Sequence, residues 1–401
     1  METDVATIEV LERLRATPAI WEQLTRTDNS ALAVQAVLRQ EFPADVVRAA
    51  LSLAELRMQG RSKFTRSEGM WFDRVRLEQA THETVARHKA ARYRDLAGSP
   101  VVDLCSGLGA DSIAIAAHAH VEAVDAAPLA SWFVARNAEV YGVAERIMPC
   151  LATAESVSLA GRIVHLDPDR RSQGQRQIRL ESGSPGLPFL QELTQTAAGG
   201  AIKVSPASNF GGKFPQCEIE LISLQGECKE ATIWFGSLRQ PEPFRATVLP
   251  AGASIAGDPW DYRPQLRPLG RYLFDPDPAV VRAGLVDLLA EQCGLGRLDD
   301  AEEYLTGETP VESPFLRRFE VLAELPNNHR EIRDWFRLSS FGQVEIKCRH
   351  IRIDANEVRR KLPLPGREPG VLLFVRLAGK TRAIAARRCS SLTTELPNDR
   401  L

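Results

Sequence analysis

Seventeen residues, VVDLCSGLGADSIAIAA (Val101–Ala117), constrain this chain more than any other stretch. An apolar run ends in a glycine pair, and a helically periodic segment follows. The spacing predicts a strand, a tight turn and a helix. Gly107 and Gly109 permit backbone angles and a close ligand approach that a side chain would obstruct. The N–H groups of the first helical turn have no intrahelical partner and are available to a ligand.

Three kinds of ligand use such a turn. A phosphate-binding P-loop needs a lysine after the second glycine, and GLGADS has none. A dinucleotide fingerprint needs Gly or Ala at the position taken here by Ser112. Asp103, at the end of the strand, is expected to point at the ligand cleft. Negative charge there disfavours a pyrophosphate and suits a ligand with an ammonium and a sulfonium, as in S-adenosylmethionine. Asp125 ends the next apolar run, VEAVD, where a carboxylate accepts from ribose hydroxyls in both cofactor classes. The expected cofactor set is Asp103, Cys105, Gly107, Gly109, Asp111, Asp125 and Ala126, with Thr153 and Glu155 near the adenine. Cys105 itself reads as packing, with no sign of an activated thiolate.

The run HLDPDRR supplies the expected catalytic set, Asp167, Pro168 and Arg170. Amino-methyltransferases carry a polar residue, two prolines and an aromatic at this place. Here Asp169 replaces the second proline and Arg170 the aromatic. Arg170, Arg171 and Arg176 can stack on a base or pair with phosphates. Trp71, Phe72 or Phe210 are candidates for the missing aromatic, and Lys63 and Phe64 for the substrate approach. His88 and His165 read as structural histidines, and Trp234 and Phe235 as core.

The organisation follows from pattern. Residues 1–95 read as a helical N-terminal region, with Thr81 as the N-cap of its last helix. Residues 96–240 alternate short apolar runs with helical segments, which implies a parallel sheet covered on both faces. CEIELISL and CKEATIWFG, separated by QGE, close it as a hairpin. Residues 241–300 are rich in proline and glycine and read as a linker followed by one helix, DPDPAVVRAGLVDLLAEQCGLGRL. Residues 301–392 read as a small α+β domain.

The net charge of −2 says nothing about partners, but its distribution does. Residues 311–401 hold 18 Lys+Arg against 11 Asp+Glu, a net of +7 on a body of −9. A polyanion partner and an ordinary solvated surface both account for this. Seven cysteines without a CxxC pair fit reduced thiols rather than a disulfide framework or a zinc site, so no metal is expected. The N-terminus METDVATIEVLERL lacks the basic start of a signal peptide, and no run of 18 apolar residues occurs. A cytoplasmic protein with no membrane contact is expected.

With DLCSGLGAD, VDAAP, ARNAEVYGV and LDPDR in place, residues 101–168 resemble class I S-adenosylmethionine-dependent methyltransferases. The same run is similar to the trimethylguanosine synthase branch. Stretches such as LEQATHETVARHKAARY, SLQGECKEATIWFG, GRYLFDPDPAVVRAGL and VEIKCRHIRID extend the resemblance to bacterial methyltransferases with a THUMP-like C-terminal domain, over most of the chain beyond residue 45. The resemblance implies a Rossmann-like sheet, parallel with an antiparallel C-terminal hairpin, and S-adenosylmethionine as cofactor. It also implies, by analogy, RNA docked through the basic C-terminal domain, with methyl transfer to a base nitrogen. Two alternatives stand beside it: a protein or small-metabolite acceptor, and a non-catalytic RNA-binding module on the same fold.

Overall fold

Apolar residues at helical spacing build the N-terminal region of the computed structural model, which describes residues 2–26, 31–96, 98–168, 171–172, 175–176 and 180–389. Six helices come first: α1 (Glu2–Arg15), α2 (Ala19–Arg26), α3 (Ala31–Glu41), α4 (Ala44–Gly60), α5 (Arg74–Gln79) and α6 (Glu83–Ala90). α4 buries Val46, Val47, Ala50, Leu53 and Leu56, one stripe at three- and four-residue steps. Burying a side chain such as Leu53 contributes about 1.5–3 kcal/mol. No helix among the described residues is long and apolar enough to cross a membrane.

Two units make up the chain: residues 1–218 with 230–241, and 219–229 with 242–401. In the first, β1 (Val101–Leu104), α7 (Ala110–Ala116), β2 (Val121–Asp125), α8 (Pro128–Tyr141), β3 (Ile147–Leu151) and β4 (Ile163–Leu166) alternate. A two-residue ladder, β5 (Arg171–Ser172) with β6 (Gln175–Arg176), then precedes α9 (Leu187–Thr196) and β7 (Gly199–Val204). The hairpin strands are β8 (Glu218–Leu224) and β9 (Glu227–Gly236). Within this unit the strand order is β9-β7-β4-β1-β2-β3, parallel except for β9, which runs antiparallel to β7. β1, β4 and β7 are buried along their whole length, as strands covered on both faces must be. α8 starts on Pro128 and stops at the left-handed Gly142, the expected helix punctuation. The parallel sheet with its antiparallel addition is a Rossmann-like α/β fold.

The second unit takes in the end of this hairpin, residues 219–229. Gln225 and Gly226 both adopt positive φ, 54° and 81°, the two-residue turn that matches strand twist. The region read as a linker is instead ordered: β10 (Phe244–Leu249) pairs in parallel with β8 and antiparallel with β11 (Ala253–Gly257). Short polar-apolar alternation carried this signal, and the surrounding prolines and glycines masked it. Beyond it lie β12 (Tyr272–Pro276), α10 (Pro278–Ala283) and α11 (Val286–Cys293). The single helix expected there is thus two, broken where Gly284 turns left-handed at φ 75°.

The remaining elements are β13 (Gly296–Arg297), β14 (Leu305–Gly307), β15 (Leu316–Pro326), α12 (His329–Arg337), β16 (Phe341–Cys348), α13 (Ala355–Lys361), β17 (Glu368–Leu377) and β18 (Lys380–Arg388). They form a sheet ordered β13-β14-β12-β15-β18-β17-β16. Alternate residues of β17 serve two cores. Leu372 and Phe374 pack under α12 and α13 with Phe336 and Val358, while Val371, Leu373 and Val375 pack with Leu273 and Phe319. This is an α+β arrangement.

Candidate active site

The glycine turn sits after β1, at the carboxyl ends of the parallel strands, where sheets of this kind bind ligands. Cys105, Gly107 and Gly109 all take positive φ, at 60°, 58° and 83°. A Cβ on Gly107 would stand in open space, whereas one on Gly109 would press on Val134 at 3.3 Å. The first glycine therefore keeps room for a ligand, and the second lets α8 approach. Asp125 is held by two backbone donors, Gly107 N–H at 3.0 Å and Ala127 N–H at 2.9 Å, one to each oxygen. Each oxygen keeps a second lone pair for a ligand hydroxyl.

Asn137 clamps the turn from behind. Its amide donates to Leu108 O at 3.0 Å and Trp71 O at 3.1 Å, and its carbonyl accepts from Trp71 N–H at 2.8 Å. Sequence reasoning missed it, because ARNAEVYG reads as an ordinary amphipathic helix. An asparagine on the apolar side of that helix was the available signal.

Four carboxylates bear on one thiol at these strand ends. Burial, and then Asp125, Asp167, Asp103 and Glu155 in that order, push Cys105 far above an ordinary thiol. Such a field welcomes a cation and repels a pyrophosphate. Asp125 is half-buried, while Ala126, Thr153 and Glu155 are exposed beside it. Ser106 Oγ is buried with no hydrogen-bond partner among the described residues. An orphan hydroxyl, free space before Gly107 and convergent negative charge fit S-adenosylmethionine.

Two residues of the expected cofactor set turn out to lie beneath the cleft. Asp103 is only 1% exposed, receives Ser112 Oγ–H and is bonded to His165 Nδ1 at 2.7 Å. Asp111 is buried as well, with Thr81 Oγ1–H donating at 2.6 Å and Lys89 Nζ at 2.9 Å. The strand pleat explains this. Asp103 and His165 are register partners on β1 and β4, so both point to the side covered by α6 and α7. Their expected direct contact with the cofactor is corrected to support from below.

Lys89, itself 1% exposed, also pairs with Glu230 at 2.9 Å. Burial alone would lower its ammonium, but Asp111 and Glu230 outweigh that and raise it. Burial would likewise raise Asp111, but Lys89, His165 and Lys203 hold it well below the carboxylate range.

Asp167 follows β4 at the cleft, with its side chain 24% exposed, and Pro168 next to it is buried. Lys203 Nζ donates to Asp167 Oδ2 at 2.6 Å and to Thr81 Oγ1 at 2.8 Å. Sequence reasoning missed Lys203, since AIKVSP reads as a strand and a lone lysine in a strand carries no motif. Arg170 and Asp169 lie outside the described residues; Arg171 and Arg176 are placed only by their backbone ladder.

Other expectations move. The N-cap of α6 is His82, which accepts from Thr84 N–H, because Thr81 is committed to Asp111 and Lys203. Lys63 donates to the carbonyls of Leu77, Glu78 and Ala80 and so serves the end of α5. Phe64, Trp71 and Phe72 are core residues at 4%, 8% and 4% exposure, packed with Phe133, and Phe210 is buried too. Trp234 and Phe235 are fully buried.

Comparison with known proteins agrees with this geometry. A family model described as RNA cap guanine-N2 methyltransferase matches residues 98–176, and one described as THUMP domain-like matches residues 316–388. Two Mycobacterium tuberculosis proteins, from strains CDC 1551 and H37Rv, are each 34% identical over 321 residues. The match covers 78% of this chain and 87% of each relative, and both are named uncharacterized S-adenosylmethionine-dependent methyltransferases. A crystal structure from Porphyromonas gingivalis W83, of a protein described as a methyltransferase, superposes with a TM-score of 0.73 at 20% identity. It covers 87% of this chain and 92% of its own.

Proposed function

Since this chain belongs to the S-adenosylmethionine-dependent methyltransferases, we propose that it transfers the methyl group to a nitrogen of an RNA base. The observation that carries the nitrogen assignment is Asp167, a cleft carboxylate with Oδ2 taken by Lys203 and Oδ1 without a partner among the described residues, open to accept an amino N–H.

Asp125 would hold the ribose, with Thr153 and Glu155 beside the adenine and the turn at Gly107 along the cofactor's edge. Bound there, the cofactor supplies a sulfonium methyl whose S–C pair stays on sulfur as the acceptor's lone pair forms the new bond. The chain's own part is placement and exclusion of water. Asp167 orients the acceptor nitrogen through its free oxygen. The surplus proton leaves the nitrogen after attack, so no strong base is needed. The side of the sheet beneath the turn is filled by the network around Asp103, which keeps water from the rear of the site.

RNA as the acceptor is supported by the match to an RNA cap methyltransferase model and by the THUMP-like segment. The net of +7 over residues 311–401 supports it as well. One observation favours a protein or metabolite acceptor instead. Many C-terminal arginines already have acidic partners, among them Arg318 with Glu312, Arg387 with Glu368 and Arg388 with Glu345. Mass spectrometry of nucleosides from a deletion strain and its parent decides. Loss of one methylated nucleoside supports the RNA reading, and an unchanged profile overturns it.

A further inference from the structure

We propose that Lys203 is a positioning residue for methyl transfer, acting only through Asp167 and aimed by Thr81. The proposal rests on the reading of Asp167 as the carboxylate that holds the acceptor nitrogen.

The argument begins with register. β4 and β7 are parallel neighbours in which His165 faces Ala201 and Leu166 faces Ile202. The next step along both strands brings Asp167 beside Lys203. The backbone therefore delivers an ammonium to the carboxylate without a long search by a flexible side chain. Lys203 is 4% exposed, so its charge is out of water and tied to what it touches.

Thr81 makes the placement directional. Its hydroxyl donates to Asp111 at 2.6 Å, so its lone pairs face Lys203, which donates back at 2.8 Å. Asp111 is in turn anchored by Lys89. The chain Asp111–Thr81–Lys203–Asp167 runs from the buried network to the cleft, and each link has one sense of donation. Rotation of the Asp167 carboxylate is restrained at Oδ2, and Oδ1 is left as the accessible acceptor. Lys203 does not reach the reacting atoms itself. Its effect on rate is the accuracy with which Asp167 presents that oxygen.

The test is the initial rate of tritium transfer from methyl-labelled S-adenosylmethionine at saturating cofactor. The acceptor is an extract of cells lacking the gene, which holds RNA, protein and small molecules alike. Lys203→Met should slow transfer by roughly 10- to 100-fold, as small misplacements of an orienting group do. Lys203→Arg should recover most of the rate. Adding Lys203→Met to Asp167→Asn should cost less than about twofold more, because residues that act as one unit are not additive. Calorimetric affinity for S-adenosylmethionine should stay within about threefold in the single variants Lys203→Met and Lys203→Arg. Wild-type rate in Lys203→Met, full additivity in the double variant, or loss of cofactor binding would each overturn the inference. If Asp167→Asn itself keeps the wild-type rate, the reading of Asp167 fails and Lys203 with it. If Asp167→Asn is slow and Lys203→Met is not, only the role of Lys203 fails.

Discussion

Asp103 on β1 and His165 on β4 are register partners, and their side chains meet at 2.7 Å on the buried side of the sheet. Burial opposes a charge on His165, but Asp111 and Asp103 outweigh it, against a smaller push from Lys89, and its pKa is raised. A raised folded-state value stabilises the protein fully below the unfolded pKa of about 6.5 and loses that contribution as pH rises through the folded value. His165→Gln should therefore cost more thermal stability at acidic than at alkaline pH. Melting curves of both proteins across that range should show the gap closing as pH rises. A constant gap would mean that His165 has the same pKa folded and unfolded.

Lys89 holds two buried carboxylates, Asp111 and Glu230. Its replacement by Met takes the cation from Glu230 and the largest of three cations from Asp111, and the expected loss is about 3–5 kcal/mol of unfolding free energy. Adding Glu230→Gln should restore part of it. Denaturant titrations of the single and double variants check this, and a double variant worse than the single would contradict it.

The two glycines of the turn should separate in their effects. Gly107→Ala meets open space, so its structural cost is the positive φ alone, about 1–2 kcal/mol, while its methyl stands where the ligand is expected. Gly109→Ala adds contact with Val134 at 3.3 Å. Calorimetry and melting curves together should show Gly107→Ala weakening S-adenosylmethionine more than stability, and Gly109→Ala lowering both. Undiminished binding by Gly107→Ala would remove the ligand from that space.

Asn137→Ala strips three hydrogen bonds from Trp71 and Leu108 and leaves their buried backbone groups unsatisfied, at roughly 1–3 kcal/mol each before relaxation. The turn should loosen, with lower stability and weaker cofactor binding together. Asn137→Asp sets a carboxylate against the Trp71 and Leu108 carbonyls in a fully buried site, and should cost at least as much as the Ala variant. Cofactor affinity equal to wild type in the Ala variant would show that Leu108 does not need this clamp.

Pattern along the chain determined the local elements and the cofactor. The strand, glycine turn and helix at Val101–Ala117, the acid at Asp125 and the carboxylate at Asp167 are legible because each depends on neighbours in sequence. Proline and glycine content misled the reading of residues 241–300, where pairing with a distant strand, β8, outweighs local propensity. Tertiary structure alone decided which charges face the cleft. Asp103 and Asp111 look like ligand contacts in the motif. The pleat and the cover of α6 and α7 instead join them to His165, Lys89 and Thr81, and through Thr81 to Lys203, in bonded pairs separated by 22 to 122 positions. A side chain's neighbours across a sheet are set by register and packing, and no spacing in the chain encodes them.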